Sequence, residues 1–285
     1  MKNKNRVGRV LAVLAIVMIT LLIKVNYAEA YTNYYGIDMT EDEYATLTNL
    51  GFSADDIYYM DLDTFNNNKD LDATLLVREV KHYKTVYSAY GIGYTIEISE
   101  EEFNNQDQGL LRDTQYTTYK TIVSVISQVG TRYRYMTSVV WNQMPEVRKY
   151  DIIGVGYEDF VHIYNSIVYF AYHYTAGSDP AVTSTQYYDR KITEYGSSVV
   201  YKVPDDNDLN GLSVSLFYDV EKDSGIGTIT SLSLCGDYSH AISNSVTSTL
   251  AANHTISYGG IGLFGNNINL YDAIPCTYAN AIVSW

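Results

Sequence analysis

Acidic and amide side chains alternate along one short segment, which reads Asp-Asn-Asp-Leu-Asn-Gly at residues 206–211. Oxygen ligands at the first, third and fifth positions of such a segment can surround one Ca²⁺ ion, and glycine at the sixth permits the sharp turn. Asp206, Asp208 and Asn210 are therefore the candidate metal ligands, and calcium is the one cofactor that the sequence suggests. Phe217 occupies the twelfth position in place of the usual bidentate Glu, so the segment also fits an acidic turn between strands.

The segment Asp237-Tyr238-Ser239-His240 contains the residue types of a hydrolytic triad. Neighbouring side chains of a strand point to opposite faces of the sheet, so we expect that Ser239 and His240 do not act as a pair. The chain has no Gly-x-Ser-x-Gly motif, and its five histidines lack the spacing of zinc ligands. The sequence therefore identifies no catalytic residue.

Two other features leave a carbohydrate-active hydrolase and a β-hairpin pore-former open as alternatives. A hydrolase needs two carboxylates that flank the scissile bond, and the 33 acidic residues do not single out such a pair. The 30 tyrosines suit stacking against sugars, although Tyr also simply fits half-exposed strands. Residues 118–127 and 132–141 predict a long hairpin whose strands could cross a bilayer when tilted.

Cys235 and Cys276 are the only cysteines, and an even count in an exported chain favours a disulfide. The bridge would close a loop of about 40 residues and stabilise the fold by roughly 3 to 4.5 kcal/mol. Two buried thiols that pack as small apolar groups are the alternative.

Residues 1–30 have the pattern of a secretory signal peptide. Four bases lie among the first nine residues, Val10–Ile23 is an apolar run, and Ala28-Glu29-Ala30 supplies a cleavage site. The run is shorter than the roughly 20 residues of a membrane span, so we expect cleavage after Ala30 and secretion, with an uncleaved anchor as the alternative.

The charge of the chain excludes some partners. The net charge is −14, and the leader contains five bases and one acid, so the remaining chain carries −18. Such an acidic protein is repelled by phosphates and anionic lipids, so we expect neither nucleic-acid binding nor stable membrane insertion. Hydrophobic residues make up 46% of the chain and charged residues only 18%, which is enough apolar material for a folded core.

Two structural regions follow the leader. In residues 31–74, Thr40 and Glu43 have the spacing of a capping box and Ser53–Asp56 repeats that signal, so this region should form a small helical cap. Residues 75–285 contain about ten segments rich in Val, Ile, Thr and Tyr, including Val161–Tyr172 as one central strand. The predicted fold is all-β, an antiparallel β-sandwich or jelly-roll-like domain with an N-terminal helical cap.

Three stretches carry a family resemblance: Leu50-Gly51-Phe52, the segment Trp141–Val155 with its Met-Pro corner, and Gly236–Ala241. On these stretches the chain resembles a group of uncharacterised exported proteins of Gram-positive bacteria. The resemblance implies export and a β-rich fold, and it transfers no catalytic residue. We therefore expect a secreted, non-catalytic interaction or surface-binding module with an unknown extracellular ligand.

Overall fold

The computed structural model describes residues 31–87, 93–105, 117–141, 144–176, 179–205 and 209–285. The predicted leader lies outside the described residues, as do Asp206 and Asp208 of the predicted calcium loop. Asn210 is the second residue of a strand, and nothing is described of its side chain.

A helical cap of short elements forms the first part of the described chain. Thr40 and Ser53 both form the predicted capping boxes, and Asp61 caps a third helix by accepting from the Thr64 amide. Each cap satisfies amide groups that the first helical turn leaves without partners. The elements are β1 (Tyr31–Thr32), β2 (Asp38–Met39), α1 (Glu41–Asn49), α2 (Ala54–Tyr58) and α3 (Leu62–Asn68).

The larger of two main sheets has eight strands in the described residues, in the order β10-β9-β13-β6-β5-β3-β4, with β8 beside β13. All of its pairings are antiparallel. A short helix, α4 (Glu100–Asn104), follows β4. The strands are β3 (Ala73–Tyr87), β4 (Gly93–Ile98), β5 (Thr117–Val129), β6 (Arg132–Trp141), β8 (Val161–Ile163), β9 (Tyr169–Ala176), β10 (Asp179–Ser184) and β13 (Leu209–Lys222).

The smaller sheet has five strands in the described residues, in the order β11-β12-β7-β14-β17, and all pairings are again antiparallel. A two-stranded hairpin of β15 and β16 and a short helix, α5, complete the fold. The bounds are β7 (Tyr150–Tyr157), β11 (Asp189–Thr193), β12 (Gly196–Lys202), β14 (Ser231–Ala241), α5 (Ser248–Ala252), β15 (His254–Ser257), β16 (Gly260–Leu263) and β17 (Tyr271–Ile282).

The two main sheets pack face to face, which confirms the predicted β-sandwich with an N-terminal helical cap. The core between the sheets contains large buried side chains from both, such as Trp141 and Tyr218 of the larger sheet and Tyr238 of the smaller one. The helical cap covers the outer face of the larger sheet, where Leu47 and Phe52 pack with Val125. Central strands are therefore apolar on both faces, as in sheets that are covered on both sides.

The predicted single strand Val161–Tyr172 is wrong. The chain forms β8, turns through Tyr164–Ser166, and then enters β9. Asn165 and Ser166 have φ values of 52° and 54°, a region that a strand does not adopt. Both strands pair with β13. The apolar pattern therefore predicted correctly that this segment lies in a sheet, but it did not reveal the turn that divides it into two strands.

Candidate functional site

A row of side chains crosses the inner face of the larger sheet at one end of the sandwich. Lys120 on β5 pairs directly with Tyr83 on β3 and with Trp141 on β6. Directly paired residues project from the same face of a sheet, so all three side chains point toward the smaller sheet. Lys120 is fully buried, and its Nζ lies 4.8 Å from the centroid of the Trp141 ring.

A carboxylate of the smaller sheet meets this lysine. Asp272 on β17 is paired with His240 on β14, and its Oδ2 lies 2.8 Å from Lys120 Nζ. Thr85 Oγ1 donates to the same carboxylate oxygen at 3.0 Å, and Thr95 Oγ1 also donates to it. One oxygen of Asp272 therefore accepts from an amine and two hydroxyls, away from solvent.

A second buried carboxylate lies on β7. Asp151 is fully buried and accepts from His240 Nδ1 at 3.0 Å, from the Ala241 amide at 2.9 Å and from the Tyr238 hydroxyl. His240 therefore carries its proton on Nδ1 when the ring is neutral. Its Nε2 is buried and has no hydrogen-bond partner among the described residues.

The tyrosine network around Asp151 fixes the direction of each hydrogen bond. Tyr238 donates its only hydroxyl proton to Asp151, so it accepts from Trp141 Nε1 at 3.1 Å and from Tyr201 at 3.1 Å. Burial raises the pKa of Tyr201 and of Tyr238 well above the ordinary value, so both phenols are neutral donors. We call Lys120, Asp272, Asp151, His240 and Tyr238 the inter-sheet cluster.

Burial also acts on the lysine of the inter-sheet cluster. It lowers the pKa of Lys120, because the ammonium loses its hydration, although the charges of Asp272 and Asp151 oppose that shift. A buried amine that is easily deprotonated is a nucleophile, and here it contacts a carboxyl group. Lys120 and Asp272 are both closed to solvent, so the cluster can act only on groups of the protein itself.

An open cleft of about 650 Å³ lies between the helical cap and the larger sheet. Its walls come from α3 with the preceding turn and from β9 and β13, and we call it the head cleft. The rings of Tyr169 and Phe217 stack within it, with centroids 5.0 Å apart and planes 11° from parallel. Its other lining residues include Tyr35, Asp61, Asp63 and Asn67.

The triad-like segment is divided between two faces of the smaller sheet. His240 points between the sheets toward Asp151, whereas Asp237 accepts from the Ile261 amide of the outer hairpin at 2.6 Å. Ser239 is two residues from Asp237 and lies on the same face of the sheet. Its hydroxyl is buried and has no hydrogen-bond partner in the described ranges. The expectation that Ser239 and His240 do not pair therefore agrees with this geometry.

No group of three or more His, Cys, Asp or Glu side chains in the described part of the chain is arranged to hold a metal ion. Asp206 and Asp208 lie outside the described residues, and calcium binding there stays a prediction.

Cys235 on β14 and Cys276 on β17 lie at disulfide distance, with Cα atoms 5.4 Å apart. They sit on directly paired strands, next to a register shift between Gly236 and Tyr238. Bonded together, they would fix β17 to β14 within the smaller sheet.

The predicted long hairpin is formed by β5 and β6 at the centre of the larger sheet. β3 pairs with one side of it and β13 with the other, so both of its edges are occupied. A pore-forming hairpin would need to leave these partners. Within the described ranges, the structure contains no helix with the length and apolar character needed to cross a bilayer.

The sequence did not single out Lys120, Asp151 or Asp272. The available signal was the position of Lys120 in β5, where it shares a face with the buried residues Ile122 and Ile126. A lysine in such a row must be paired or neutral, because an unpaired buried charge is very costly. Its partner, 152 positions away, was not visible without the pairing of the strands.

No protein-family model matches the chain, and no curated protein matches its sequence. Among solved structures, the chain is similar to the RrgB pilus backbone of Streptococcus pneumoniae, with 10% identity, a TM-score of 0.29, and 55% of this chain and 69% of that one covered. It is also similar to the collagen-binding domain of the Erysipelothrix rhusiopathiae surface protein RspB, with 6% identity, a TM-score of 0.27, and coverages of 59% and 66%.

A third similar structure is AvmM, which catalyses macrocyclization in alchivemycin A biosynthesis, with 14% identity, a TM-score of 0.24, and coverages of 53% and 80%. Two of the three are therefore surface proteins of Gram-positive bacteria. TM-scores this low carry no argument about what this chain does. The resemblance to uncharacterised exported proteins has no support from sequence comparison and stays a prediction.

Proposed function

We propose that the protein is a non-catalytic surface-binding module that acts outside the cell and binds a carbohydrate in the head cleft. The observation that carries this proposal is the stacked pair of Tyr169 and Phe217 within an open cleft that also contains carboxylate and amide groups. Sugars present C–H faces that pack on aromatic rings and hydroxyls that donate to oxygen acceptors.

The aromatic pair is held firmly and remains accessible on one side. Phe217 is buried, and it also contacts the Phe52 ring of the helical cap, with centroids 5.3 Å apart and planes at 87°. Tyr169 is 37% exposed, so one partner anchors the stack while the other is available to a ligand. Such a site is formed before the ligand arrives and loses little conformational freedom on binding.

The polar groups of the head cleft divide into structural and available ones. Both carboxylate oxygens of Asp61 already accept hydrogen bonds from Thr64, at 2.8 Å and 3.0 Å, as the cap of α3. Asp63 and Asn67 are exposed on the same helix and can accept from ligand hydroxyls. Lys120 of the inter-sheet cluster is fully buried and does not line the cleft, so its amine is not available to a ligand there.

Three features together support the proposed extracellular location. The chain starts with the pattern of a secretory leader and is strongly acidic beyond it. Its two cysteines lie at disulfide distance, a pairing that persists in oxidising compartments.

A glycan array with matched variants tests the proposal. The protein after Ala30 should retain a subset of neutral glycans, and Tyr169→Ala should lose at least tenfold in affinity. Tyr278→Ala is the control, since Tyr278 is similarly exposed, at 43%, but lies on β17 of the smaller sheet. Thermal unfolding of each variant confirms that the fold is intact.

Two results would contradict the proposed function. Equal retention of glycans by Tyr169→Ala and Tyr278→Ala would exclude the head cleft as the binding site. If the protein binds no glycan on the array, carbohydrate is excluded as the ligand. Release of new reducing ends from a bound glycan would instead favour the secreted hydrolase.

A further inference from the structure

We propose that Lys120 and Asp272 become joined by an amide bond between Lys120 Nζ and Asp272 Cγ, which forms an internal cross-link between the two sheets. The proposal is independent of the head cleft and of any ligand. It rests on the geometry of the inter-sheet cluster, in which the reacting groups are already in contact.

The first step of the argument is the distance. Lys120 Nζ lies 2.8 Å from Asp272 Oδ2, so the nitrogen is already adjacent to the carboxyl group that it would attack. Both side chains extend from residues that are paired with neighbouring strands, Lys120 on both sides and Asp272 with His240, which restricts their motion. Reactive groups held in this way gain a large rate advantage over the same groups free in solution.

The second step is the state of the amine. Lys120 is fully buried and its Nζ lies against the Trp141 ring, so the charged form has lost most of its hydration. Burial raises the pKa of Asp272, but the charge of Lys120 and the hydrogen bonds from Lys120, Thr95 and Thr85 outweigh it and lower that pKa, so the ion pair is the resting state. Transfer of one proton to Asp272 along their hydrogen bond gives the reactive pair, a neutral amine and a neutral carboxylic acid. This exchange replaces two buried charges by two neutral groups that are a nucleophile and an electrophile.

The third step is the stabilisation of the carboxyl oxygen. Thr85 and Thr95 both donate to Asp272 Oδ2, from neighbouring positions on β3 and β4. When an amine attacks the carboxyl carbon, negative charge develops on oxygen, and fixed hydroxyl donors stabilise that charge. These two threonines are positioned to do so without rearrangement.

The reaction balances without a cofactor, oxidant or reductant. The neutral amine of Lys120 attacks Cγ of the protonated Asp272 carboxyl, and the new N–C bond forms a tetrahedral intermediate. A second amine proton moves to one of the two carboxyl oxygens, the C–O bond to that oxygen breaks, and one molecule of water leaves. The products are a secondary amide and one molecule of water.

The bond would connect β5, in the middle of the larger sheet, to β17, the last strand of the smaller sheet. It would close a covalent loop through most of the sandwich. A module that holds a ligand outside the cell would then resist separation of its two sheets.

Peptide mapping of the native protein tests the proposal. After reduction and alkylation, trypsin should fail to cleave at Lys120, and residues 113–132 should be recovered joined to residues 223–285. The joined species should be one water lighter than the sum of its two peptides. Fragment ions should place the link at Lys120 and Asp272.

The chain contains its own control. Lys69 and Glu43 form an ion pair at 3.0 Å with side chains 27% and 19% exposed, so their peptides should be recovered unlinked. Recovery of residues 113–120 and 223–285 as separate peptides from the native protein would overturn the proposal. A link at another lysine would overturn it as well.

A variant tests the roles of the groups around the bond. Thr95→Val removes one donor to Asp272 and should lower the cross-linked fraction of freshly synthesised protein by at least threefold. Lys120→Met should abolish the link, and SDS gel mobility then distinguishes the linked and unlinked chains. An unchanged linked fraction in Thr95→Val would contradict the role given to that hydroxyl.

Discussion

A hydrogen bond between the Ile261 amide and the Asp237 carboxyl group links the outer hairpin to the smaller sheet. The Ile261 amide on β16 donates to Asp237 Oδ2 on β14 at 2.6 Å, and the other carboxylate oxygen is buried without a partner in the described residues. Burial raises the pKa of Asp237 to about 7, although the amides of Ile261 and Tyr238 oppose this shift. The folded protein therefore keeps a proton on Asp237 that the unfolded chain releases near pH 3.8.

Asp237→Asn should stabilise the protein at neutral and higher pH. Between pH 3.8 and about 7 the folded state binds the proton more tightly, so the free energy of unfolding of the native protein falls as the pH rises. Titration of Asp237 alone should lower the free energy of unfolding by up to about 4 kcal/mol above pH 7. Urea unfolding from pH 4 to pH 8 should show a smaller decline for Asp237→Asn, and an unchanged decline would exclude Asp237 as its source.

His254 should contribute a pH dependence of the opposite sign. Burial lowers its pKa to about 4, and its ring contacts Ser198 Oγ through Nε2 at 2.7 Å and the Ala251 carbonyl through Nδ1 at 2.9 Å. The unfolded chain takes up a proton near pH 6.5 while the folded protein does not, so this contribution to stability is lost as the pH falls from 6.5 to 4.

The measurement for His254 is urea unfolding of His254→Gln across that range. Between pH 6.5 and pH 4, the free energy of unfolding should fall by about 3 kcal/mol less in the variant than in the native protein. If His254→Gln and the native protein lose stability in parallel over this interval, the histidine is not the titrating group.

Reduction of the cysteine pair should destabilise the smaller sheet. Cys235 and Cys276 are separated by 41 positions, and a cross-link of that length constrains the unfolded chain by roughly 3 to 4.5 kcal/mol. Guanidinium unfolding with and without dithiothreitol measures the loss. A Cys235→Ala/Cys276→Ala double variant is the control, since its midpoint should not respond to the reductant.

Gly236→Ala should destabilise the sandwich through close approach of its two sheets. A Cβ at this position would lie 2.2 Å from Ser124 Oγ and 2.5 Å from Thr137 Oγ1, both on the facing sheet. Overpacking of this kind costs about 1 to 3 kcal/mol. Gly227→Ala is the matched control, because its Cβ would meet nothing within 4 Å, and thermal unfolding should shift only for Gly236→Ala.

Calcium should raise the thermal midpoint of the protein if the segment at residues 206–211 binds the ion. Extracellular calcium sites of this type have affinities of about 0.1 to 1 mM, so the shift should appear at millimolar Ca²⁺ and reverse with a chelator. An Asp206→Ala/Asp208→Ala variant should lose the response, and Asp63→Ala, at an exposed acid on α3, should keep it. Equal midpoints with calcium and with chelator would leave the segment as an acidic turn.

Local features of this fold were determined by the sequence. The caps at Thr40 and Ser53 lie three residues from the partners that complete them, so the sequence alone predicts both helix starts. The β5–β6 hairpin is also local, because its strands are joined by a turn at Gly130, whose φ of 59° suits glycine. Because neighbouring side chains of a strand point to opposite faces, the sequence alone was enough to predict that Ser239 and His240 do not pair.

Long-range relationships were decided only by the tertiary structure. Lys120 and Asp272 meet because β5 and β17 face each other across the sandwich, and no local pattern encodes which strands of two sheets oppose one another. The contact between Asp151 and His240, 89 positions apart, depends in the same way on the pairing of β7 with β14. Backbone hydrogen bonds within a turn depend on a few neighbouring residues, whereas the alignment of two sheets depends on how all of their apolar side chains pack together.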